Sequence, residues 1–291
     1  MKHSWGERAF YGINYFILSL VALSCLLPLI HLAALSLSSG EAITLGKVGL
    51  WPVEPTWEAY RKLIQGTDIV NALRNSLVIT VVGTALNMVF TVLAAYPLAK
   101  KHFYARKYLT LAIVFTMLFT AGLIPNYMLA KALGLVNTYG ALWLPGLVSA
   151  YNMLILRSFF ENIPEELEEA ARIDGCGEWR IIGQIVLPLS LPAIATVSLF
   201  YGVNHWNAFF NVLMYINDSQ KFNLSVLVQN MIQSQSLLME MAQLDPDAFT
   251  QLTPESIKSA GVLVMVVPML IVYPFLQKYF VKGALIGSIK G

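Results

Sequence analysis

Eight charged side chains, six of them acidic, fall between Ile163 and Ala193, in the stretch IPEELEEAARIDGCGEWRIIGQIVLPLSLPA. Pro164 suits the first turn of a helix, where its missing donor costs nothing. Glu165, Glu166, Glu168 and Glu169 crowd the turns that follow, facing the positive end of the helix dipole. Leu167, Ala170 and Ala171 are spaced to form one face, and the alanines allow a partner surface to approach closely. Gly175 supplies the positive φ that ends such a helix, and a second short helix is expected from Glu178 to just before Pro188. Taken alone, this is a solvated acidic face. Bond-making chemistry is poorly served: His3, His31, His102 and His205 are scattered, and neither HExxH nor GxSxG occurs. GxxxxGK[ST] is absent too, so no P-loop can bind ATP. Cys25 and Cys176 have neither CxxC nor zinc spacing.

What positions this loop follows from composition. The chain has 291 residues, 57% hydrophobic and 12% charged, with mean hydropathy +0.63. Water-soluble domains carry about 25% charged residues. A net charge of +2 gives no nucleic-acid footprint. Six apolar segments approach the length needed to cross about 30 Å of hydrocarbon: Ile13–Leu35, Ser76–Ala99, Tyr108–Leu129, Tyr139–Leu156, Leu189–Ile216 and Ala260–Leu276. The first is too long for the apolar core of a secretion signal. Pro28, Pro97, Pro125, Pro145, Pro192, Pro268 and Pro274 are read as kinks rather than breaks. The second connector carries Lys100, Lys101, Arg106 and Lys107, the third Lys131 alone. By the positive-inside rule both termini are cytoplasmic. The expected fold is an all-α, multi-pass membrane protein of six transmembrane helices. Residues 1–12 form a cytoplasmic N-terminus and 13–291 the membrane domain, with a long inner loop at 162–188 and a long outer loop at 217–259. Asp245, Asp247 and Glu255 lie near the end of the outer loop. Within it Leu224, Leu227, Met231, Leu238 and Met241 recur at helical spacing, which predicts an amphipathic helix.

The register of the inner loop carries more than its composition. Glu169-Ala170-Ala171, three residues, Gly175, nine residues, Ile185, one residue and Leu187-Pro188 fit EAA-x3-G-x9-I-x-L-P at every fixed position. On a cytoplasmic loop between two spans, this resembles the signature loop of the membrane subunits of bacterial ABC importers. The resemblance implies the type I importer fold and a coupling helix seated in a groove of a separate ATPase. Carried over, Glu169 is the charged contact, with Glu165 and Glu166 beside it, and Ala170 and Ala171 are the close-packed face. Asp174 and Gly175 form the turn, and Leu187-Pro188 the return to span five. Asn75-Ser76-Leu77, Ala94-Ala95-Tyr96-Pro97-Leu98-Ala99, Ile163-Pro164-Glu165-Glu166-Leu167 and Trp206-Asn207 look like carbohydrate-importer permeases of the maltose type. Gly122-Leu123-Ile124-Pro125, Leu133-Gly134-Leu135 and Lys290-Gly291 fit the subgroup that handles polysaccharide fragments, alginate importers included. The resemblance covers residues 13–291.

Its implications are specific. The chain would be non-catalytic and bind no cofactor, with ATP and Mg on the partner. It would work in the cytoplasmic (inner) membrane of a bacterium. Partners would be membrane lipid, a homologous second permease, two ATPase copies, an extracytoplasmic solute-binding protein and an oligosaccharide. In span five, Asn204, His205, Trp206, Asn207, Asn211 and Tyr215 offer hydrogen bonds and flat ring faces suited to a sugar path. The same groups serve equally to join helices to one another. Two alternatives remain: an importer of the same class for a non-sugar solute, and an ion-coupled secondary transporter. The second is disfavoured because none of the six segments contains Asp, Glu, Lys or Arg.

Overall fold

The computed structural model describes residues 5–242 and 254–288, all of whose regular elements are helical. Lys2, His3, Asp245, Asp247, Lys290 and Gly291 lie outside the described residues, as do the side chains of Leu238 and Met241. Contacts divide the chain into two units: Met1–Val70 with Leu227–Val267, and Asn71–Val226 with Pro268–Gly291.

The first unit opens with α1, Trp5–Ser36, in which none of the most apolar stretch is buried against the rest of the chain. Phe16, Leu20 and Leu23 are all more than half exposed. Such a helix is stable only in lipid or under another protein chain. Two short helices follow, α2 (Gly40–Thr44) and α3 (Glu58–Gly66). Ser39 caps α2 by accepting from Ala42 N–H at 3.2 Å. Ser38 donates to Ala34 O at 2.6 Å and accepts from Val53 N–H at 3.0 Å, folding the segment back on the end of α1.

The second unit is organised on α4, Ile69–Ala99, apart from its first two residues. Next come α5 (Arg106–Leu118) and α6 (Leu123–Ala132), bent by 114° at the intervening residues. After α7 (Gly140–Trp143) and α8 (Ala150–Glu161) the inner loop forms α9 (Glu165–Ile173) and α10 (Glu178–Ile181). A π turn at Ile182–Val186 leads to α11 (Leu187–Leu189), then α12 (Leu191–Trp206) and α13 (Phe210–Tyr215). The last helices, α14 (Leu224–Ala242) and α15 (Pro254–Ser288), run through parts of both units. One core packs Ala95, Tyr96 and Leu98 of α4 against Met153, Leu156 and Phe160 of α8, with Ile181, Val186 and Val197. The other gathers Ile79, Leu142, Val212, Tyr215 and Val226.

Several expectations change. Among the described residues α1, α4 and α15 are long and apolar enough to cross a membrane unbroken, and the bent pairs bring the possible spans to five by length and composition. Pro28, Pro97, Pro268 and Pro274 sit inside continuous helices as kinks. Pro145 lies in the gap between α7 and α8, so there the proline marks a break. Span five is interrupted at Ser190, where the axis turns by 85°, and again at Asn207–Phe209. The second loop helix does not stop before Pro188. Leu187 N–H bonds back five residues to Ile182 O, and this wider turn displaces the carbonyl the pyrrolidine ring would strike. Pro164 stands at the N-cap, one position earlier than expected, its carbonyl accepting from Leu167 N–H at 3.3 Å. A helix is present there as α14, and of its described residues Leu224, Val226 and Val228 are buried, with Leu227 and Met231 half-buried.

Candidate functional site: a clamped inner loop and a polar cavity

The inner loop is a helix–turn–helix held to the end of α4 by charge. Gly175 has φ +81° and closes α9 with two bonds, its own N–H to Arg172 O at 3.0 Å and Cys176 N–H to Ala171 O at 2.9 Å. That pair satisfies orphan carbonyls of the last turn and fixes where α10 begins. Leu167, Ala170 and Ala171 do not share a face. Ala171 is buried with Glu168 against the chain's own body, whereas Leu167, Ala170 and Ile173 are exposed together with Glu166 and Glu169. Glu168 turns inward beside Ala171 and pairs with Arg172 at i, i+4, so the helix is rotated to bury a carboxylate rather than Ala170. Glu165, Asp174 and Pro188 are exposed and Leu187 is half-buried.

Glu168 is 3% exposed and meets Lys100 at one oxygen and Arg172 Nη2 at 3.5 Å through the other. Lys100 Nζ also lies 4.5 Å over the Tyr96 ring, a cation–π contact. Tyr96 Oη donates to Glu178 Oε2 at 2.7 Å, and Arg172 Nε donates to Glu178 Oε1 at 3.1 Å. The Tyr96 bond, then Arg172, holds the Glu178 carboxyl below its ordinary value of 4.5 against the opposing effect of burial. Lys101 pairs with Glu165 at 3.1 Å on the surface. Tyr96 and Glu168, both buried, and the half-buried Lys100, joined by the exposed Arg172 and Glu178, therefore tie α4, α9 and α10 into one body.

Sequence reasoning overlooked this network. Lys100 counted only toward orientation and Glu168 only toward the acidic turn, yet the spacing of Glu168 and Arg172 is the pairing signal.

The polar groups of span five separate into three places. Asn204, His205, Asn207 and Asn211 line a cavity of about 420 Å³ with Asn87, Asn152, Trp143 and Tyr201. Tyr215 is buried, stacks on Tyr127 with centroids 6.0 Å apart, and lines a second cavity of about 620 Å³, which Asn211 also borders. Trp206 is buried along an apolar groove with Leu77, Val81 and Met88. The interruption at Asn207–Phe209 faces the first cavity, as unwound backbone at membrane depth requires.

Two bridges from α4 hold that cavity's walls. Asn87 Nδ2 donates to Gly146 O at 3.1 Å and Leu147 O at 2.8 Å, so its oxygen faces His205 Nε2 at 2.6 Å. Carbonyls accept only, which places the shared proton on the histidine Nε2. Tyr201 Oη meets Thr91 Oγ1 at 2.8 Å and accepts from Ser149 N–H at 2.9 Å. His205 is thus a satisfied structural group on one side. Gly83 lets the imidazole approach, since a Cβ there would stand 2.6 Å from Nε2. Gly83→Ala is expected to destabilise the fold by about 1–3 kcal/mol, read as a lower melting temperature of the purified protein. An unchanged melting curve would show that the ring relocates freely.

Elsewhere the Asn75-Ser76 pair anchors the start of α14. Asn75 Nδ2 donates to Gln220 O at 2.8 Å and Phe222 O at 2.9 Å, and Ser76 Oγ accepts from Leu224 N–H at 2.8 Å. No group of three or more His, Cys, Asp or Glu among the described residues is placed to hold a metal ion.

Helical elements throughout the described residues, broken apolar helices around polar cavities and a charged loop clamped to the end of α4 are the features expected of a membrane permease. The chain belongs to the family described as binding-protein-dependent transport system inner membrane component, which matches residues 76–285. It is 43% identical over 286 residues to the polygalacturonan/rhamnogalacturonan transport system permease protein YtcP of Bacillus subtilis (strain 168), covering 98% of this chain and 99% of the relative. It is 39% identical over 293 residues to Protein LplC of the same organism, covering 100% and 98%. Its structure is similar, at TM-score 0.86 and 30% identity over 96% of this chain and 99% of the other, to a chain in the crystal structure of a bacterial ABC transporter involved in the import of the acidic polysaccharide alginate.

Proposed function

We propose that the chain is a permease subunit of a binding-protein-dependent ABC importer for carbohydrate, oligosaccharides or fragments of polysaccharide. Family membership and the sugar-transport names of the relatives support this reading. The chain crosses the cytoplasmic membrane six times with both termini inside, the bent and interrupted helices each counting as one crossing. Residues 1–12 are the cytoplasmic N-terminus and 13–291 the permease, with the coupling loop at 162–188 and the outer loop at 217–259.

The observation that carries the coupling role is a helix with two unlike faces. Inward, Glu168 and Ala171 are gripped by the chain itself; outward, Glu169, Ala170 and Ile173 are bare. A partner ATPase takes the outward face, with Glu165, Glu166 and Asp174 at its edges. Rigid-body motion passes inward through Gly175 and the Leu187-Pro188 return, because a clamped helix cannot absorb displacement as a flexible loop does. The chain itself hydrolyses nothing; two ATPase copies bind ATP and Mg. A homologous second permease and an extracytoplasmic solute-binding protein complete the assembly, and Asn204, His205, Asn207 and Asn211 border the sugar path, with Trp206 and Tyr215 behind it. Uptake of labelled oligosaccharide into membrane vesicles is expected to require ATP and to survive an uncoupler. Uptake driven by an ion gradient alone would exclude an ATP-coupled importer.

A further inference from the structure

The first cavity has a wall that the path residues of span five do not account for. Asn152, in the first turn of α8, is 6% exposed and lines this cavity. Its backbone N–H faces the Ser149 cap at 3.5 Å, but its side-chain amide makes no hydrogen bond to the described chain. The amide opens onto the cavity and is free to hydrogen-bond whatever enters it. Across the space stand the exposed amides of Asn204, Asn207 and Asn211, while Asn87 is fully engaged in holding Gly146 and Leu147. Trp143, Phe200 and Phe210 supply flat faces. No Lys, Arg, Asp or Glu lines the cavity.

We propose that Asn152, with Asn204, Asn207 and Asn211, forms a binding subsite for one uncharged, hydroxyl-rich sugar ring, and that it disfavours the carboxylate of a uronic acid. The inference rests on the carbohydrate-import reading. An amide both donates and accepts, which matches a hydroxyl; a carboxylate only accepts and brings a charge that no cation in the lining answers. Relatives named for acidic polysaccharides would then neutralise that charge outside the corresponding cavity. Asn152 is the specificity-determining member because it is the one buried residue of the lining whose side-chain amide is left unengaged toward the cavity.

The test is saturation-transfer NMR on the purified permease–ATPase assembly without binding protein. The probes are α-1,4-linked galactotriose and α-1,4-linked trigalacturonate, which differ only in oxidation at C6. Galactotriose is expected to bind more tightly than trigalacturonate, and Asn152→Leu to weaken it about tenfold, the loss of one hydrogen bond to a buried group. The exposed Asn204→Ala carries the same sign and keeps the test open if Asn152→Leu does not assemble. Three results overturn the subsite: no binding of galactotriose, preference for trigalacturonate, or affinity unchanged in the variants that assemble. Failure of Asn204→Ala to assemble also overturns it, because the cavity is then filled by the second permease. ATP-dependent uptake by the unmodified transporter is scored separately, so loss of the subsite and loss of the importer reading are told apart.

Discussion

Gly175→Pro is expected to abolish uptake while the protein still inserts in the membrane. Proline fixes φ near −65°, whereas residue 175 sits at +81°, and the substitution also deletes the N–H that bonds Arg172 O at 3.0 Å. Together these cost more than about 3 kcal/mol at the turn that fixes α10 relative to α9. Gly175→Ala, at about 1–2 kcal/mol, is the milder companion. Glu169→Lys leaves the turn alone and reverses the exposed charge offered to the ATPase, with an expected loss of about 2–5 kcal/mol in that contact. Residues 169 and 175 lie outside the apolar segments, so both variants should resist alkaline extraction from membranes as the unmodified chain does. Normal uptake by either one removes the coupling role from this loop.

The second large effect belongs to the clamp. Lys100→Met leaves the buried Glu168 with Arg172 alone at 3.5 Å, and breaking a buried ion pair from one side costs roughly 3 kcal/mol. The expected signature is faster hydrogen exchange in α9, with ATP hydrolysis in the assembled transporter retained but no longer matched by uptake. Pairing Lys100→Met with Glu168→Gln removes the stranded charge and should recover most of the protection. Exchange rates in α9 that do not change in Lys100→Met would mean the ion pair does not hold the loop. The chain's other exposed ion pairs, such as Lys101–Glu165, predict effects under about 1 kcal/mol.

The loop's outline was legible because its determinants are local. A proline, an acidic turn and a glycine with positive φ act within a few residues, and each sits where the pattern required or one position away. The long apolar helices were legible for the same reason. What stayed hidden depends on partners far along the chain. Glu168 and Ala171 turn inward only because Lys100 waits 68 residues earlier, and helical spacing alone assigned the alanine pair to one face. The breaks at Ser190 and Asn207 escaped because hydropathy averages over a window and cannot see an axis turning by 85°. Asn87 escaped although a lone amide in an apolar span is itself a signal; its three partners lie 59 to 118 residues away. The polar residues of span five were grouped as one path, yet Trp206 borders a separate apolar groove and Tyr215 a second cavity that among them only Asn211 shares.

The bareness of α1 has a consequence for how the cell must make this protein. A helix with nothing of its own chain against its most apolar turns is recognisable as an orphan until companions arrive. Synthesis in excess of those companions would feed membrane quality control rather than transport, so under the proposed importer the steady-state amount of the chain would follow its rarest neighbour.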